Sequence, residues 1–412
     1  MTRKTKLGGG DLKWSEIVFV ITSLVLVLIG ALGVFQIHTK PIMPIQPFEV
    51  ALGMPWRLLV ALYVFFVVNG FCVIASLGEI FGVSKLEPII KDLLLMAIIT
   101  ILVGLTTIGL EIEQTQRAVY ALIGHVNPHS VMFWMIMFYV LELIFLVVEA
   151  WLYLYDDLIE QRKSDNVVKR LIAIILTIPK IENSKEFAKA IGFIAVVTSI
   201  IAISNLGALF SVNYLPFWHG PFLPIYFVLS AMISGTALAI IGVVVTDYAR
   251  GNKRYEAVQT LRVVLGASLS IALLFIAWNY IIKAYPTSTL LSREATEVFV
   301  FGSYAFNFWF FEVTIGLIIP ITLLAIPRFG RDIRCVFVAS ILTVVGVFFS
   351  RFDLITGGQL LKTISGLRVP AFEVHPFEIM ATIGFLSLAV FLYYICYKLL
   401  PMEVEISREE SS

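Results

Sequence analysis

Apolar runs of 18 residues or more recur along the chain, separated by short polar segments in which Lys, Arg, Gly and Pro collect. Each run is long enough to cross roughly 30 Å of hydrocarbon as a helix. Read in order, they predict ten spans, at about 16–38, 56–80, 88–110, 130–155, 187–212, 221–246, 260–283, 303–327, 332–350 and 376–399. Arg3, Lys4 and Lys6 precede the first run, as they would in a signal peptide. That run is longer than a signal-peptide h-region and no A-x-A site follows it, so it reads as a retained anchor.

Composition supports this pattern. Of the 412 residues, 59% are hydrophobic and 14% charged, against about 45–50% and about 25% in soluble domains. The expected fold class is therefore all-α, a polytopic membrane protein. A net charge of +1 carries no sign of nucleic-acid binding, but its distribution orients the chain. With the N-terminus in the cytoplasm, 22 of the 30 Lys and Arg fall on the inner side. Only Lys40, Arg57, Arg117, Lys283, Arg293, Arg351, Lys362 and Arg368 stay outside. The positive-inside rule then places both termini in the cytoplasm of a cell-membrane protein.

Candidate chemistry narrows next. In this orientation His38, His125, His129, His219 and His375 all lie near the outer face. Two stacked b haems need axial histidines in both leaflets, so that arrangement is not expected. Cys72, Cys335 and Cys396 are isolated and read as small buried hydrophobes, not as ligands of an iron–sulfur cluster. No P-loop, dinucleotide-binding glycine turn or nucleophile elbow appears. The chain is read as free of haem and iron–sulfur clusters.

Carboxylates inside the spans are the stronger signal, since each must face protein or water. Glu142, Glu149 and Asp156 recur at intervals of seven on one face of the fourth span. They form a candidate proton route from mid-membrane to the inner surface. Glu312 lies within FNFWFFEVTIGLIIP, ahead of Pro320, which is expected to kink its helix and free a carbonyl. The alternative for each carboxylate is hydrogen-bonded glue between helices. At the outer end, Arg351 and Asp353 in SRFDLITGGQ are expected to pair at the interface. Pro216, Trp218, His219 and Pro221 are expected to cap the outer end of the sixth span. Trp218 reads equally well as an interfacial anchor.

Six stretches together resemble the polysulfide reductase/NrfD family of integral membrane subunits, in its ten-helix branch. They are PWRLLVALYVFFVVNG (55–70), NPHSVMFW (127–134), PFWHGPFLPIYFVLSAMISGTAL (216–238), WFFEVTIGLIIP (309–320), VFFSRFDLITGGQ (347–359) and HPFEIMATIGFLSLAVFLY (375–393). They span nearly the whole chain in the family's order.

The resemblance implies a haem-free, quinone-binding anchor subunit built on two four-helix bundles, here about 56–212 and 221–350, flanked by helices 16–38 and 376–399. It implies a ferredoxin-like iron–sulfur partner and a catalytic subunit: a hydrogenase, a molybdopterin enzyme or a multihaem cytochrome. Electrons would pass between that partner and a quinone such as menaquinone, with proton translocation as a possible accompaniment. In this reading the chain is a quinone-reactive or non-catalytic subunit of a membrane-bound oxidoreductase.

Matching of ALYVFFV puts Tyr63 where relatives carry a quinone-contacting imidazole. Ser204 or Asn205 stands where they carry a tyrosine. Both positions depart from the family pattern. The expected quinone contacts are thus Tyr63, Ser204, Asn205, Trp218, His219 and His129. The expected proton carriers are Glu142, Glu149, Asp156 and Glu312, and the expected partner-facing residues are Asn127, Arg351, Asp353 and Gln359. The alternative function is a proton-coupled secondary transporter without electron transfer.

Overall fold

The computed structural model describes residues 14–39, 58–111, 120, 124, 126–213, 215, 217–251, 254–358 and 374–402. His125, Pro216 and Gln359 lie outside the described residues. Every element within them is helical. In chain order these are α1 (Trp14–Thr39), α2 (Leu58–Val67), α3 (Phe71–Glu79), a 3-10 segment Ser84–Ile89 running into α4 (Ile90–Glu111), α5 (Val131–Gln161), α6 (Val167–Leu176) and α7 (Ser184–Ser211). There follow α8 (Phe222–Arg250), α9 (Tyr255–Ala284), α10 (Leu290–Val300), α11 (Asn307–Ala325), a single helical turn Pro327–Gly330, α12 (Ile333–Gly358) and α13 (Pro376–Leu399). With α2 and α3 taken together as Leu58–Glu79, the described residues hold ten helices long and apolar enough to cross a membrane. All ten coincide with the expected spans.

Packing sorts the spans into two groups. α2 with α3, α4, α5 and α7 contact one another, as do α8, α9, α11 and α12. The groups join where α8 meets α7 and where α12 meets α2. The Leu58–Glu79 span is almost wholly buried and lies at the centre, whereas Glu16–Thr39 is mostly exposed and lies at the edge. α1 pairs with α13, which rests on α4 and α2. Close crossings are set by glycine. A Cβ on Gly30 would lie 2.4 Å from Gly384 Cα, and one on Gly346 would lie 2.2 Å from Gly316 Cα. Without a hydrophobic drive between helices in lipid, such close backbone approach supplies the packing.

The ends of the spans form two faces. One carries Trp218, Lys283 and Asn307; the other carries Arg254, Asp92 and Tyr393. They are called here the Trp218 face and the Arg254 face. At the latter, Arg254 donates to Asp92, to Asp247 Oδ1 at 2.7 Å and to Thr246 Oγ1 at 2.6 Å, while Tyr393 donates to Asp92 Oδ1 at 3.0 Å. This ties α4, α8, the start of α9 and α13 together. Burial works against the guanidinium charge, yet the two carboxylates outweigh it and hold the Arg254 pKa above the ordinary arginine value.

Three local features depart from plain helices. The second span unwinds at Val68–Gly70. Its freed backbone is satisfied by neighbours: Gly70 N donates to Ala231 O at 2.8 Å, and Ser234 Oγ donates to Val68 O at 2.8 Å. The Asn69 amide donates to Phe66 O and to Thr100 Oγ1 at 2.9 Å. Irregular backbone at membrane depth is tolerated only when protein covers it in this way. In α11, residues Asn307–Ile318 wind as a π-helix that returns to α-helix just before Pro320. A proline ring clashes with the carbonyl four residues back, and the wider turn relieves that clash. The expected kink at Pro320 thus takes the form of a wound-out segment around Glu312.

The third is α6, absent from the sequence reading. It is short, capped by the Asn166 side chain, and leaves Val167, Val168, Leu171, Ile174 and Ile175 exposed. Its ten residues cannot span a bilayer, so an exposed apolar face fits a helix lying in the membrane interface.

Candidate functional site

A partly open pocket among the described residues lies at the Trp218 face of the second group. The sequence expectation centred on Tyr63, Asn205 and His219. α8 contributes Phe222 and Tyr226 to the space, α9 contributes Asn279, Tyr280 and Lys283, and α10 contributes Phe299. Glu312 enters from the π-wound part of α11, and Ser350, Arg351 and Asp353 from α12. Its internal volume is about 40 Å³, room for a few water molecules. Lys283 sits at its edge, where Nζ donates to Phe217 O at 3.0 Å and lies 5.0 Å from the centre of the Phe217 ring. Phe217 in turn stacks on Phe299, with centroids 4.2 Å apart. The wall of the pocket is therefore partly aromatic and partly polar.

Arg351 is the least expected member of that wall. It is 1% exposed and Asp353 is 2% exposed, so neither lies on a partner-facing surface. Nor do they pair with each other. Two residues apart on one helix, they point to nearly opposite sides. Arg351 donates to Ser230 Oγ and lies over the Phe227 ring at 4.7 Å. Asp353 Oδ1 accepts from Asn307 Nδ2 at 3.1 Å. Among the described residues no carboxylate comes within ion-pair distance of Arg351; Arg351 Nε and Asp353 Oδ2 have no partner there. The expected span ended at 350 because two charges close together look like a loop. The helix instead continues to Gly358 and carries both charges inside the protein.

The expected quinone contacts divide into two groups. Tyr63 and Trp218 share one buried cluster with Met135, Tyr139, Phe210 and Phe227. Tyr63 OH lies 4.0 Å from Met135 Sδ, and Trp218 Nε1 donates to Leu354 O at 2.7 Å. Trp218 is thus a packed anchor between the Trp218-face loop and α12. His219 is exposed, with its ring nitrogen 3.1 Å from Asn213 O, and His129 and Asn127 are exposed beside each other. Asn205 Nδ2 donates back to Ile201 O at 2.9 Å, and Ser204 is half-buried. None of these six residues is among those lining the pocket described above. His375 is a helix cap, its Nδ1 accepting from Phe377 N at 3.3 Å.

α5 carries Glu142, Glu149 and Asp156. Glu142 and Glu149 are buried, and Asp156 is exposed. Glu142 faces Ser199 of α7. Glu149 faces Gly192 of α7 and meets Glu79, the last residue of α3. Tyr139, one turn before Glu142, neighbours both Glu142 and Arg351, so polar groups continue from the carboxylates toward the pocket. Among the described residues no group of three His, Cys, Asp or Glu side chains is placed to hold a metal ion.

Sequence reasoning missed Lys283, Asn279, Tyr226 and Tyr280 because each lies inside or at the end of an apolar run. A charged residue closing the seventh span was a usable signal. Glu79 was legible as a carboxylate at the end of span two, but its partner was not.

The profile of the family described as Polysulphide reductase, NrfD matches residues 49–362. The chain is 22% identical over 403 residues to a subunit of the selenate reductase of Mesobacillus selenatarsenatis, covering 92% of this chain and 93% of that protein. It is also 22% identical over 375 residues to the Hdr-like menaquinol oxidoreductase integral membrane subunit of Archaeoglobus fulgidus, covering 86% and 87%.

Proposed function

We propose, because the chain belongs to the polysulphide reductase NrfD family, that it is the quinone-interacting integral membrane subunit of a respiratory oxidoreductase complex. A menaquinol oxidoreductase subunit among its relatives supports the substrate class. A reductase subunit supports a separate catalytic partner. The observation that carries the site is the pocket at the Trp218 face, whose lining combines phenylalanines with Lys283, Asn279 and two tyrosines. Ammonium, amide and phenol groups are the donors that quinone carbonyls accept from.

With its present volume the pocket admits water but not a ring, so entry of a headgroup requires a side chain to move. Phe222 is the candidate. It is half-buried and stacked on Tyr226, whereas Phe217 is held by Lys283 and Phe299. Quinone chemistry exchanges two electrons and two protons with the site. Here Lys283 and Asn279 orient the carbonyls, and Glu312 stands within the pocket to take or give a proton. Glu142 and Glu149 carry protons between mid-membrane and the Arg254 face. The distribution of Lys and Arg supports the Trp218 face as the outer one, in the cell membrane, with both termini in the cytoplasm. An iron–sulfur subunit docked on that face, near Asn127 and His129, brings electrons to or from the pocket.

The test is purification of the native complex from membranes. Co-purification with an iron–sulfur chain, and electron exchange with a quinone that Lys283→Gln slows while dye-linked turnover of the partner persists, is the expected result. A chain that purifies alone and moves protons or solute without electron exchange would overturn the reading and leave a transporter.

A further inference from the structure

Glu79 has no part in the route described so far, yet its surroundings are unusual for a carboxylate within a span. It is 6% exposed, and neither of its oxygens has a donor among the described residues. It meets Glu149 over Gly192. A Cβ built on Gly192 would lie 2.8 Å from Glu149 Oε1 and 3.5 Å from Glu79 Oε2. The missing side chain of Gly192 is therefore the space in which the two carboxyl groups converge. Glu149 Oε2 also lacks a donor. As two carboxylates the groups would repel each other in a buried site with their acceptors unfilled. As an acid and a carboxylate they satisfy each other through one shared proton.

The groups around the pair give it a direction. Toward mid-membrane lie Cys72 of α3 and Glu142 of α5. Tyr153 of α5 lies beside Glu79. Toward the Arg254 face stands Lys189 of α7, exposed, whose charge reaches Glu79. The other exit is less suited. Asp156 accepts from Ser184 Oγ at 3.4 Å, two turns from Gly192 along α7, and between them Ala188 is fully buried and carries no polar side-chain atom.

We propose that Glu79 and Glu149 form a proton-sharing pair over Gly192, and that this pair, opening beside Lys189, is the end of the proton route at the Arg254 face. Asp156 is not that end. This rests on the proton-handling role of Glu142 and Glu149 given above, and it adds both a residue and an exit.

The experiment uses the complete complex in proteoliposomes, reading quinone-linked charge movement beside dye-linked turnover of the partner. Glu79→Gln and Glu149→Gln each keep the side-chain shape and remove the titrating group. Each is expected to slow charge movement by on the order of 10²-fold, the scale of a lost proton-transfer group. The double variant should be no slower than either single one, since the two act as a unit. Asp156→Asn should retain charge movement. Infrared difference spectra supply a readout that a purely structural role would not move: the wild-type complex should show a buried carboxylic-acid band that either Gln variant loses. Full charge movement in Glu79→Gln with loss in Glu149→Gln and Asp156→Asn would overturn the pair and restore the Asp156 exit. Full charge movement in every variant would overturn the proton-handling reading itself.

Discussion

Replacing Arg254 with methionine is expected to destabilise the protein by about 3–5 kcal/mol, the scale for removing one partner of a buried ion pair. The Arg254 and Asp92 side chains are 7% and 3% exposed, and that of Asp247 is 14% exposed. Methionine fills much of the same volume but leaves Asp92 with only the Tyr393 hydroxyl, at 3.0 Å, and leaves the Asp247 side chain with the Arg254 backbone N–H, at 2.9 Å. Most of the loss therefore comes from two carboxylates stranded at a helix junction, and little from lost packing. Adding Asp92→Asn and Asp247→Asn should recover most of it, because a whole buried charge network is often replaceable where half of one is not. The assay is reversible unfolding in mixed micelles, with the three variants compared in a mutant cycle. A single variant within about 1 kcal/mol of wild type, the range of exposed pairs, would refute the reasoning. So would a triple variant no more stable than Arg254→Met alone.

Three further outcomes are expected. Lys283→Gln removes a charged donor worth about 1.5–3 kcal/mol, so the apparent affinity for quinone should fall roughly 10- to 100-fold in steady-state titrations; an unchanged KM would remove Lys283 from the site. His219→Ala takes away an exposed ring bound to a loop carbonyl and should slow quinone turnover less than Lys283→Gln does, measured side by side. Gly346→Ala places a methyl 2.2 Å from Gly316 Cα. α11 and α12 must then part, at about 1–3 kcal/mol for overpacking, and Glu312 separates from Ser350; lower thermal stability together with weaker quinone binding would be the signature.

Much of the fold was readable because a bilayer leaves few options. Ten apolar runs became ten spans, with edges that moved outward where helices project beyond their apolar runs, as at 156–161 and 247–250, and inward in the eighth span, observed as Asn307–Ala325. What could not be read were features fixed by contacts distant in sequence. The break at Asn69 depends on Ala231 and Ser234 of another helix. The burial of Arg351 depends on Ser230 and Phe227. In a linear pattern SRFD marks the end of a span; only the packed bundle shows that the charges point inward. The carboxylates of α5 were legible because a period of seven keeps them on one face. Glu79 was not recognised as their partner, since that depends on a glycine 113 residues away in the sequence. The quinone contacts read from family matching fared differently. Tyr63 and Trp218 share a cluster, while Asn279, Tyr280 and Lys283 of the pocket lie in a stretch that no motif marked.

The central claim is that a quinone headgroup enters the pocket between α8, α9 and α12 at the Trp218 face. The most direct test is photoaffinity labelling of the native complex in its membrane with an azido-quinone, followed by mapping of the modified peptides. Labels that excess unmodified quinone displaces should fall on residues 217–226, 276–283 and 350–354, and Lys283→Gln should diminish them. Displaceable labelling centred instead on Tyr63 and Asn205, unaffected by Lys283→Gln, would contradict the account.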